Sequence, residues 1–326
     1  MTTYRGSSSR SRTREDRVIG RTLVVIGVVW RLAVAAYGIG VFLPLVLAEG
    51  LSSWWTIIID TLVLKVCLRL SDAGRRISRH GRRYLTPVIH SVADLSDDPF
   101  VLYLRPFAAD PDGASMAQQP EVPWPPVGFI TSGRTLEEQL GRLFREFGVL
   151  IAVGQPGEQL PYAGAHRIYL PLDDWQDTVR ELMLRARLVV LVAGPGAGTI
   201  WEYLEAIRLL PPCRLLLAVY HGPEIYEAFR RLSATAFGQQ QGALSSRRGA
   251  SGLPPALPDY PEPTDSGTRD YPLKGVVHFD AEWGAHFLRF DPAKGSVIRS
   301  RAATSRVVRK ALRPVLKAIR LDGATR

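Results

Sequence analysis

Two long apolar segments dominate the first seventy residues of the chain. Residues 22–48 form a run of 27 residues with a single charged side chain, Arg31, and residues 51–70 form a second run. Each run is about long enough for a helix that crosses a bilayer, which needs roughly 20 apolar residues. The pattern predicts a two-helix transmembrane hairpin over residues 22–70.

The charged residues inside these runs allow two interpretations. Counted from Thr22 and Leu70 at 1.5 Å of rise per residue, Arg31 and Asp60 lie at similar heights. Charges at membrane depth are costly and usually paired, so one hypothesis is an Arg31–Asp60 pair that locks the hairpin. In the other, the first span starts at Leu32 and the Arg31 side chain extends to the interface. The sequence leaves both open.

Arginines flank the predicted hairpin at both of its outer ends. They are Arg10, Arg12, Arg14, Arg17 and Arg21 before it, and Arg69, Arg75, Arg76, Arg79, Arg82 and Arg83 after it. Positive residues concentrate on the cytoplasmic side of membrane helices. A cleaved signal peptide has a shorter apolar core and is not normally followed at once by a second apolar run. We therefore expect a multi-pass protein of the cell membrane, with both termini and the following domain in the cytoplasm.

Beyond residue 95 the pattern changes to short apolar segments that alternate with helical periodicity. The predicted strands are Phe100–Leu104, Val149–Val153, Leu188–Ala193 and Leu215–Tyr220; the predicted helices lie around Leu136–Phe147 and over Trp175–Ala186 and Thr199–Leu210. Strands that alternate with helices predict an α/β fold with a parallel sheet. We expect a Rossmann-like, flavodoxin-like sheet whose ligand binds beyond the carboxyl ends of the strands.

The remaining segments complete a prediction of six regions. They are a basic disordered tail (1–21), the hairpin (22–70), a basic juxtamembrane linker (71–95), the α/β domain (96–237), a disordered insertion (238–270), and a C-terminal hairpin with a basic amphipathic helix (271–326). The insertion is rich in Gly, Pro, Ser and Gln and has no apolar period. The last helix, around Val307–Ile319, either completes the α/β layer or lies on the membrane.

The positive charge of the chain is concentrated at its two ends. The net charge is +10 overall, divided as +8 over residues 1–95, −5 over residues 96–300 and +7 over residues 301–326. Basic residues beside apolar spans favour the lipid bilayer, and anionic lipids in particular, as the partner. Nucleic acid is disfavoured because the central domain is mildly acidic. The cysteines, Cys67 and Cys213, and the scattered histidines show no metal-ligand spacing, so we expect neither a disulfide nor a metal site.

A glycine-rich loop follows the third predicted strand of the α/β domain. Gly194, Gly196 and Gly198 precede a helix that begins near Thr199. Glycines allow close backbone approach, and a helix N-terminus offers free N–H groups to an anion such as a phosphate. The loop lacks the lysine of a Walker A motif and departs from the GxGxxG spacing. A nucleotide cradle and a plain tight turn are both compatible with it.

Two carboxylates, Glu202 and Glu205, occupy the first turns of that helix. The simplest interpretation is that they complement the positive end of the helix dipole. The functional hypothesis is that one of them stabilises the positive charge that develops on a ribose ring when its bond to a base breaks.

Three short segments together resemble a TIR domain. They are YLRPFAAD (Tyr103–Asp110), GQPGE (Gly154–Glu158) and WEYLE (Trp201–Glu205), in the order in which that family carries them. The resemblance implies that Glu205, in the Trp-x-x-x-Glu segment that starts at Trp201, cleaves NAD, with Arg105 and Asp110 beside the pocket. NAD is then a substrate, and no cofactor is implied.

The segment GTIWE (Gly198–Glu202) is also similar to the Gly-Thr-x-x-Glu segment of nucleoside 2-deoxyribosyltransferases, which implies Glu202 as the catalytic residue. Both resemblances imply N-glycosidic chemistry on a Rossmann-like core, on NAD or a related nucleotide. The alternative is a non-catalytic, membrane-tethered signalling or scaffold module that binds a nucleotide or forms a homo-oligomer.

Overall fold

A computed structural model describes residues 14–49, 54–106, 136–154, 163–170, 174–244, 255–262, 273–290 and 310–317. The chain divides into two compact units, a helical N-terminal unit and an α/β unit, with their boundary in the chain near Val88. Each unit is described separately.

The N-terminal unit contains two long helices, α1 (Arg14–Glu49) and α2 (Trp54–Leu85). Both extend beyond the predicted hairpin, because residues 14–21 of the predicted disordered tail and residues 71–85 of the predicted linker are helical. Among the described helices, α1 is long and apolar enough to cross a membrane, over residues 14–40. The α2 helix does not meet that criterion within the described residues.

Small residues line the contact between the two helices. Gly20 lies against Gly81 and Gly27 against Gly74, so the helices are antiparallel and their contacts recur every seven residues. A Cβ atom on Gly27 would lie 2.2 Å from the Ser78 Oγ and 2.5 Å from the Gly74 carbonyl oxygen. Glycine at these positions lets the two backbones approach closely, as in other helix pairs packed through small residues.

The register of α1 against α2 contradicts the Arg31–Asp60 pair. The Trp30 indole Nε1 donates a hydrogen bond to the Leu70 carbonyl oxygen at 2.8 Å, so Arg31 lies level with the residues around Leu70. Asp60 precedes Leu70 by ten residues, which is about 15 Å along a helix. The side chain of Asp60 lies outside the described residues. The pairing hypothesis assumed that the outer ends of the two apolar runs lie at the same height. The register is set instead by the contacts of Gly20 with Gly81 and of Gly27 with Gly74.

The α/β unit is built on an eight-stranded, mostly parallel sheet. Its strands are β1 (Val88–Ile89), β2 (Phe100–Leu104), β3 (Val149–Gly154), β4 (His166–Tyr169), β5 (Leu188–Val192), β6 (Leu215–Val219), β7 (Gly275–Phe279) and β8 (Ala285–Arg289). Their spatial order is β1-β4-β3-β2-β5-β6-β7-β8. The central strands β4, β3, β2, β5 and β6 are parallel, whereas β7 and β8 extend the sheet as an antiparallel hairpin. The predicted parallel core is present, and β1 and β4 are additions to it.

Helices cover both faces of this sheet. Their bounds are α3 (Leu136–Leu143), α4 (Trp175–Arg185), α5 (Ala197–Leu209), α6 (Pro223–Leu244) and α7 (310–317). The helices α4, α5 and α6 pack on one face, whereas α3 and α7 pack on the other. Strands covered on both sides become fully apolar, and every residue of β5 is buried.

The C-terminal amphipathic helix packs on the sheet. In α7, Leu312, Val315 and Leu316 are buried in the same apolar cluster as Val101 of β2 and Leu216 of β6. The described part of this helix therefore completes the α/β layer, and the alternative placement on the membrane is not supported.

The prediction of a disordered insertion over residues 238–270 is wrong for two of its parts. Residues 238–244 belong to α6, and residues 255–262 form an ordered extended segment. The Tyr226 hydroxyl donates to the Pro258 carbonyl oxygen at 2.9 Å, and an Arg289 Nη1 donates to the Pro261 carbonyl oxygen at 2.6 Å. Prolines hold such a segment extended without a strand partner, which a search for apolar periodicity does not detect.

Candidate functional site

The topology of the sheet identifies one edge as the place for a ligand. The strand β2 lies at the centre, and the chain goes from it to β3 on one side and later to β5 on the other. At such a switch point the two connections diverge and leave a crevice beyond the carboxyl ends of the strands. Arg105 and Pro106 follow β2 at this edge, and Gly194 follows β5. A Cβ atom on Gly194 would lie 3.4 Å from Pro106 Cγ, so the glycine loop borders the end of β2.

The glycine loop leads directly into α5. The helix begins at Ala197, two residues earlier than predicted, with Gly196 as its N-cap. Because Gly196 has no side chain, no side-chain hydrogen bond caps the first turn. A Cβ atom on Gly198 would meet nothing within 4 Å among the described atoms, whereas Thr199 is buried. The N–H groups of this turn are therefore suited to an anionic group.

Glu205 is buried and already engaged by two arginines. Its carboxylate accepts a hydrogen bond from Arg180 Nε at 3.0 Å and another from Arg208 Nη1 at 2.9 Å. Only 6 % of the residue is exposed. Two charge-assisted hydrogen bonds compensate the cost of burying this carboxylate. Glu205 thus has a structural role in holding α5 against Arg180 of α4.

Trp201 belongs to the same structural contact. The Arg180 guanidinium lies 5.0 Å from the Trp201 ring centroid, and the Trp175 ring lies edge-on to Trp201 at 4.8 Å. One arginine of α4 therefore contacts both ends of the Trp-x-x-x-Glu segment. The spacing that resembles a catalytic motif here places two side chains on the face of α5 that contacts α4.

Glu202 lies in a different environment on the same helix. Its side chain is partly buried, and no residue in the described part of the chain forms a hydrogen bond or an ion pair with it. Burial raises the pKa of the Glu202 carboxyl group to about 8, because the charged form loses water and gains no counter-charge. A carboxyl group with this pKa is mostly protonated at neutral pH and can donate a proton.

Arg105 lies on the opposite face of the sheet from α5. Arg105 Nη2 is 3.0 Å from Glu137 Oε1, and Arg167 Nη2 is 3.1 Å from the same oxygen. All three side chains are almost entirely buried. The alternation of β2 explains the placement, since Tyr103, two residues earlier, belongs to the apolar cluster of that face. Arg105 is therefore part of a buried charge network and does not lie beside Glu202.

No sequence pattern indicates the partners of Arg105. Glu137 lies in the first turn of a helix, where a glutamate usually complements the helix dipole, and Arg167 lies in a short strand that also carries His166. The Arg105 guanidinium lies 5.9 Å from the centroid of the Tyr103 ring, and the Tyr103 hydroxyl is 3.5 Å from that of Tyr220. Burial raises the pKa of Tyr103 to about 12. Asp110, the other residue implied beside the pocket, lies outside the described residues.

No cluster of three or more histidine, cysteine or acidic side chains able to hold a metal ion occurs among the described residues. Comparison with known proteins gives no match to a family model, to a curated protein or to a solved structure.

Proposed function

We propose that this chain is a membrane-anchored α/β protein, TIR-like in its Rossmann-like core, that binds a nucleotide-like ligand. At that site it cleaves or transfers at the N-glycosidic bond of NAD or a related nucleotide, with Glu202 as the acid. The observation that carries the proposal is the partly buried Glu202 carboxyl, whose pKa is raised to about 8, on the helix that begins at the switch-point edge.

The chemistry needs a proton donor and a group that accepts a proton later. In cleavage, the bond between the sugar C1′ and the base nitrogen breaks, and a neutral base leaves more readily when its nitrogen is protonated. Glu202 supplies that proton and becomes a carboxylate. The carboxylate stabilises the positive charge on the sugar and then takes a proton from the water or hydroxyl group that attacks C1′. The acid is regenerated, and no outside oxidant or reductant is needed.

The leaving group decides which protonation state is productive. A neutral nucleobase requires the protonated acid that the raised pKa provides. The nicotinamide of NAD is already cationic and leaves without a proton, so Glu202 acts on it as a carboxylate, and a cationic ring beside Glu202 lowers its pKa. The proposal therefore favours nucleosides and nucleotides with neutral bases over NAD.

The environments of the two glutamates support Glu202 over Glu205. A catalytic carboxyl must reach the reacting atoms and change its charge during the reaction. Glu205 is held by Arg180 and Arg208 and closed off from solvent. To serve as the acid, it would have to leave both guanidiniums.

The anchoring part of the proposal is a two-helix transmembrane hairpin. The antiparallel register puts Arg31 of α1 level with the Arg69–Leu70 region of α2, so an arginine lies at the same height on both helices, and Asp60 and Lys65 of α2 lie on the apolar side of that height. Residues 32–49 and 54–68 are then the spanning segments, and 18 residues of helix cover about 27 Å. By the positive-inside rule, the termini and the α/β unit lie in the cytoplasm.

The test is the release of free base by the full-length protein in liposomes of anionic lipid. Substrates are NAD, purine and pyrimidine nucleosides and their monophosphates, and the free base is quantified by chromatography. We expect base release by the wild type, its loss in Glu202→Gln, and its retention by the folded fraction of Glu205→Gln. Absence of base release from every substrate, or full activity of Glu202→Gln, would overturn the catalytic proposal.

One observation favours a second candidate, a non-catalytic module that binds a nucleotide or self-associates. Arg180 uses both Trp201 and Glu205 for contacts between helices, so the segment that resembles a catalytic motif has a structural explanation. For this candidate, nucleotide binding measured by calorimetry occurs without turnover, and Glu202→Gln leaves the affinity unchanged.

A further inference from the structure

A proline-rich segment of the chain, residues 255–262, lies against α6 and β8. Pro258 and Pro261 are three residues apart, which is one turn of a polyproline II helix. Leu257 is buried in the apolar cluster of this face of the sheet, whereas the rest of the segment is half-buried or exposed. The segment therefore lies on the surface, with one side against the protein and the other towards solvent.

Side chains of α6 and β8 bind the backbone of this segment. The Tyr226 hydroxyl donates to the Pro258 carbonyl oxygen at 2.9 Å, and Arg289 Nη1 donates to the Pro261 carbonyl oxygen at 2.6 Å. The carbonyl groups of a polyproline II helix make no hydrogen bonds within the helix, so they can accept from such donors. The two donors match the first and the last residue of the Pro258–Pro261 spacing.

Aromatic rings line the same contact. The Tyr226 and Phe287 rings lie edge-on to each other, with their centroids 5.3 Å apart. The Tyr260 ring of the segment packs edge-on against both, at 5.8 Å from Tyr226 and 5.4 Å from Phe287, and the Arg289 guanidinium lies 5.1 Å from the Tyr260 centroid. Grooves that bind proline-rich peptides are lined by aromatic side chains in this way. We call Tyr226, Arg230, Phe287 and Arg289 the α6–β8 groove.

Arg230 adds a preference for an acidic residue. It forms an ion pair with Asp259, the residue that follows the first proline. Arg230 also contacts Glu227, one turn earlier in α6, at 2.7 Å, so α6 itself orients the guanidinium. Because the Asp259 side chain is 86 % exposed, this pair adds little affinity and acts mainly on the choice of peptide. The α6–β8 groove therefore fits the order proline, acidic residue, aromatic residue, proline.

The walls of the groove belong to the core of the α/β unit. Tyr226 is buried in the cluster that contains Phe229 of α6 and Val277 of β7, and Phe287 packs against the same cluster. Both walls are thus held by elements of the sheet and its helices. A peptide from another molecule with the same pattern would meet the same donors, rings and charge.

We propose that the α6–β8 groove is a binding site for a proline-rich peptide of a partner protein, and that residues 255–262 occupy it as an intramolecular competitor. The bound segment defines the chemistry of the partner, which carries two prolines three residues apart with an acidic and an aromatic residue between them. A tethered segment competes at a high effective concentration, so the contact is autoinhibitory. The proposal goes beyond the catalytic function and depends neither on Glu202 nor on membrane anchorage.

Peptide binding to the full-length chain in nanodiscs tests the groove. In the open variant, a Gly-Ser sequence of equal length replaces residues 255–262, and the probe is a fluorescein-labelled peptide of residues 253–264. By fluorescence anisotropy we expect saturable binding to the open variant and binding at least about tenfold weaker to the wild type, whose own segment competes. A control peptide with Pro258→Ala and Pro261→Ala should bind more weakly than the probe. No saturable binding to the folded open variant, or equal binding of the two peptides, would overturn the proposal.

A charge reversal tests the same contact in a chain that keeps its segment. Asp259→Lys places a lysine beside Arg230 and weakens the intramolecular contact, so we expect this full-length variant to bind the probe more tightly than the wild type. Glu262→Lys is the matched control, because it makes the same change in charge at an exposed position of the segment, and it should bind the probe as the wild type does. Equal affinity of the two variants would count against an intramolecular competitor.

Cross-linking identifies the molecule that supplies the segment. A short bismaleimide joins Asp259→Cys to Arg230→Cys in a full chain with Cys67→Ala and Cys213→Ser. We expect the link to form within one chain. A covalent dimer would show that a second copy supplies residues 255–262, and it would overturn the proposal of an intramolecular competitor and a different partner.

Discussion

At the scale of single residues, two glutamates less than one turn apart on α5 have opposite surroundings. Glu205 has two arginine partners and is shielded from water, whereas Glu202 has burial without a counter-charge among the described residues. Perturbed carboxyl groups are more frequent at functional sites than elsewhere. The difference predicts that one glutamate matters for pH dependence and the other for stability.

Glu202 should make the folded protein less stable as the pH rises. Its folded-state pKa is about 8, well above that of an exposed glutamate, so the unfolded chain releases this proton at lower pH than the folded chain. Stability linked to this group is therefore present at acidic pH and is lost as the pH rises from about 4.5 to about 8. Denaturant unfolding followed between pH 5 and 8 should show this loss in the wild type and not in Glu202→Gln. Parallel curves for the two proteins would contradict the assignment.

Glu205→Gln should destabilise the fold through the arginines that it leaves behind. The variant loses one charge-assisted partner for Arg180 and one for Arg208, and we expect a decrease of about 1–3 kcal/mol in the free energy of unfolding. Asp177→Asn is the matched control, because Asp177 also contacts Arg180 but is 76 % exposed. The control should cost less than about 1 kcal/mol. Equal decreases for the two variants in chemical denaturation would show that burial of the contacts of Glu205 with Arg180 and Arg208 does not add to stability.

At the scale of secondary structure elements, the contact of α1 with α2 depends on glycines that have no room for a side chain. Gly27→Ala places a methyl group within 2.8 Å of the Ser78 backbone nitrogen and closer still to the Gly74 carbonyl oxygen. Overpacking of this kind costs about 1–3 kcal/mol. Gly40→Ala on the same helix meets no atom of the described residues within 4 Å and should stabilise the helix by up to about 1 kcal/mol. Thermal unfolding of full-length protein in nanodiscs, followed by circular dichroism, should move in opposite directions for the two variants.

The elements that could be predicted from the sequence are those whose signal is local. Buried parallel strands such as Phe100–Leu104 and Leu188–Val192 are continuous apolar runs between turn residues, and both were predicted to within one residue. The strand β4 was missed because His166 and Arg167 interrupt its apolar pattern, and the buried Arg167 forms an ion pair with Glu137, which lies in a different element. The start of α1 and the end of α2 were not predicted, because both helices extend beyond the apolar runs, where they contact each other at Gly20 and Gly81.

In the candidate site too, only the features with a local sequence signal could be predicted. The glycine loop and the helix after it were predicted from their spacing, and the structure places them at the end of β5 beside Pro106. Arg180 is 25 residues from Glu205 in the sequence, and Glu137 is likewise distant from Arg105. No local pattern links either pair. Only the folded arrangement separates a carboxylate held by Arg180 from one without a described partner.

At the scale of the whole molecule, the distribution of charge predicts on which side of the membrane each part of the chain lies. The net positive charge lies in residues 1–95 and 301–326, whereas residues 96–300 carry a net charge of −5. This predicts a cytoplasmic location for the α/β unit and an external location for the connection between α1 and α2. In intact cells, an impermeant maleimide should label Leu51→Cys in a Cys67→Ala background, whereas Cys213 is labelled only after permeabilisation. Labelling of Cys213 in intact cells would invert the proposed topology.

The central claim is that Glu202 acts as an acid in N-glycosidic chemistry, and the pH profile of base release tests it most directly. For a substrate with a neutral base, the protonated carboxyl is the active form. The rate for the full-length protein in liposomes should therefore be highest below pH 8 and fall above it, with an apparent pKa near 8. Glu205→Gln should keep this profile at reduced amplitude, and Glu202→Gln should have no base release. Base release that is independent of pH between 6 and 9, or that survives in Glu202→Gln, would contradict the account.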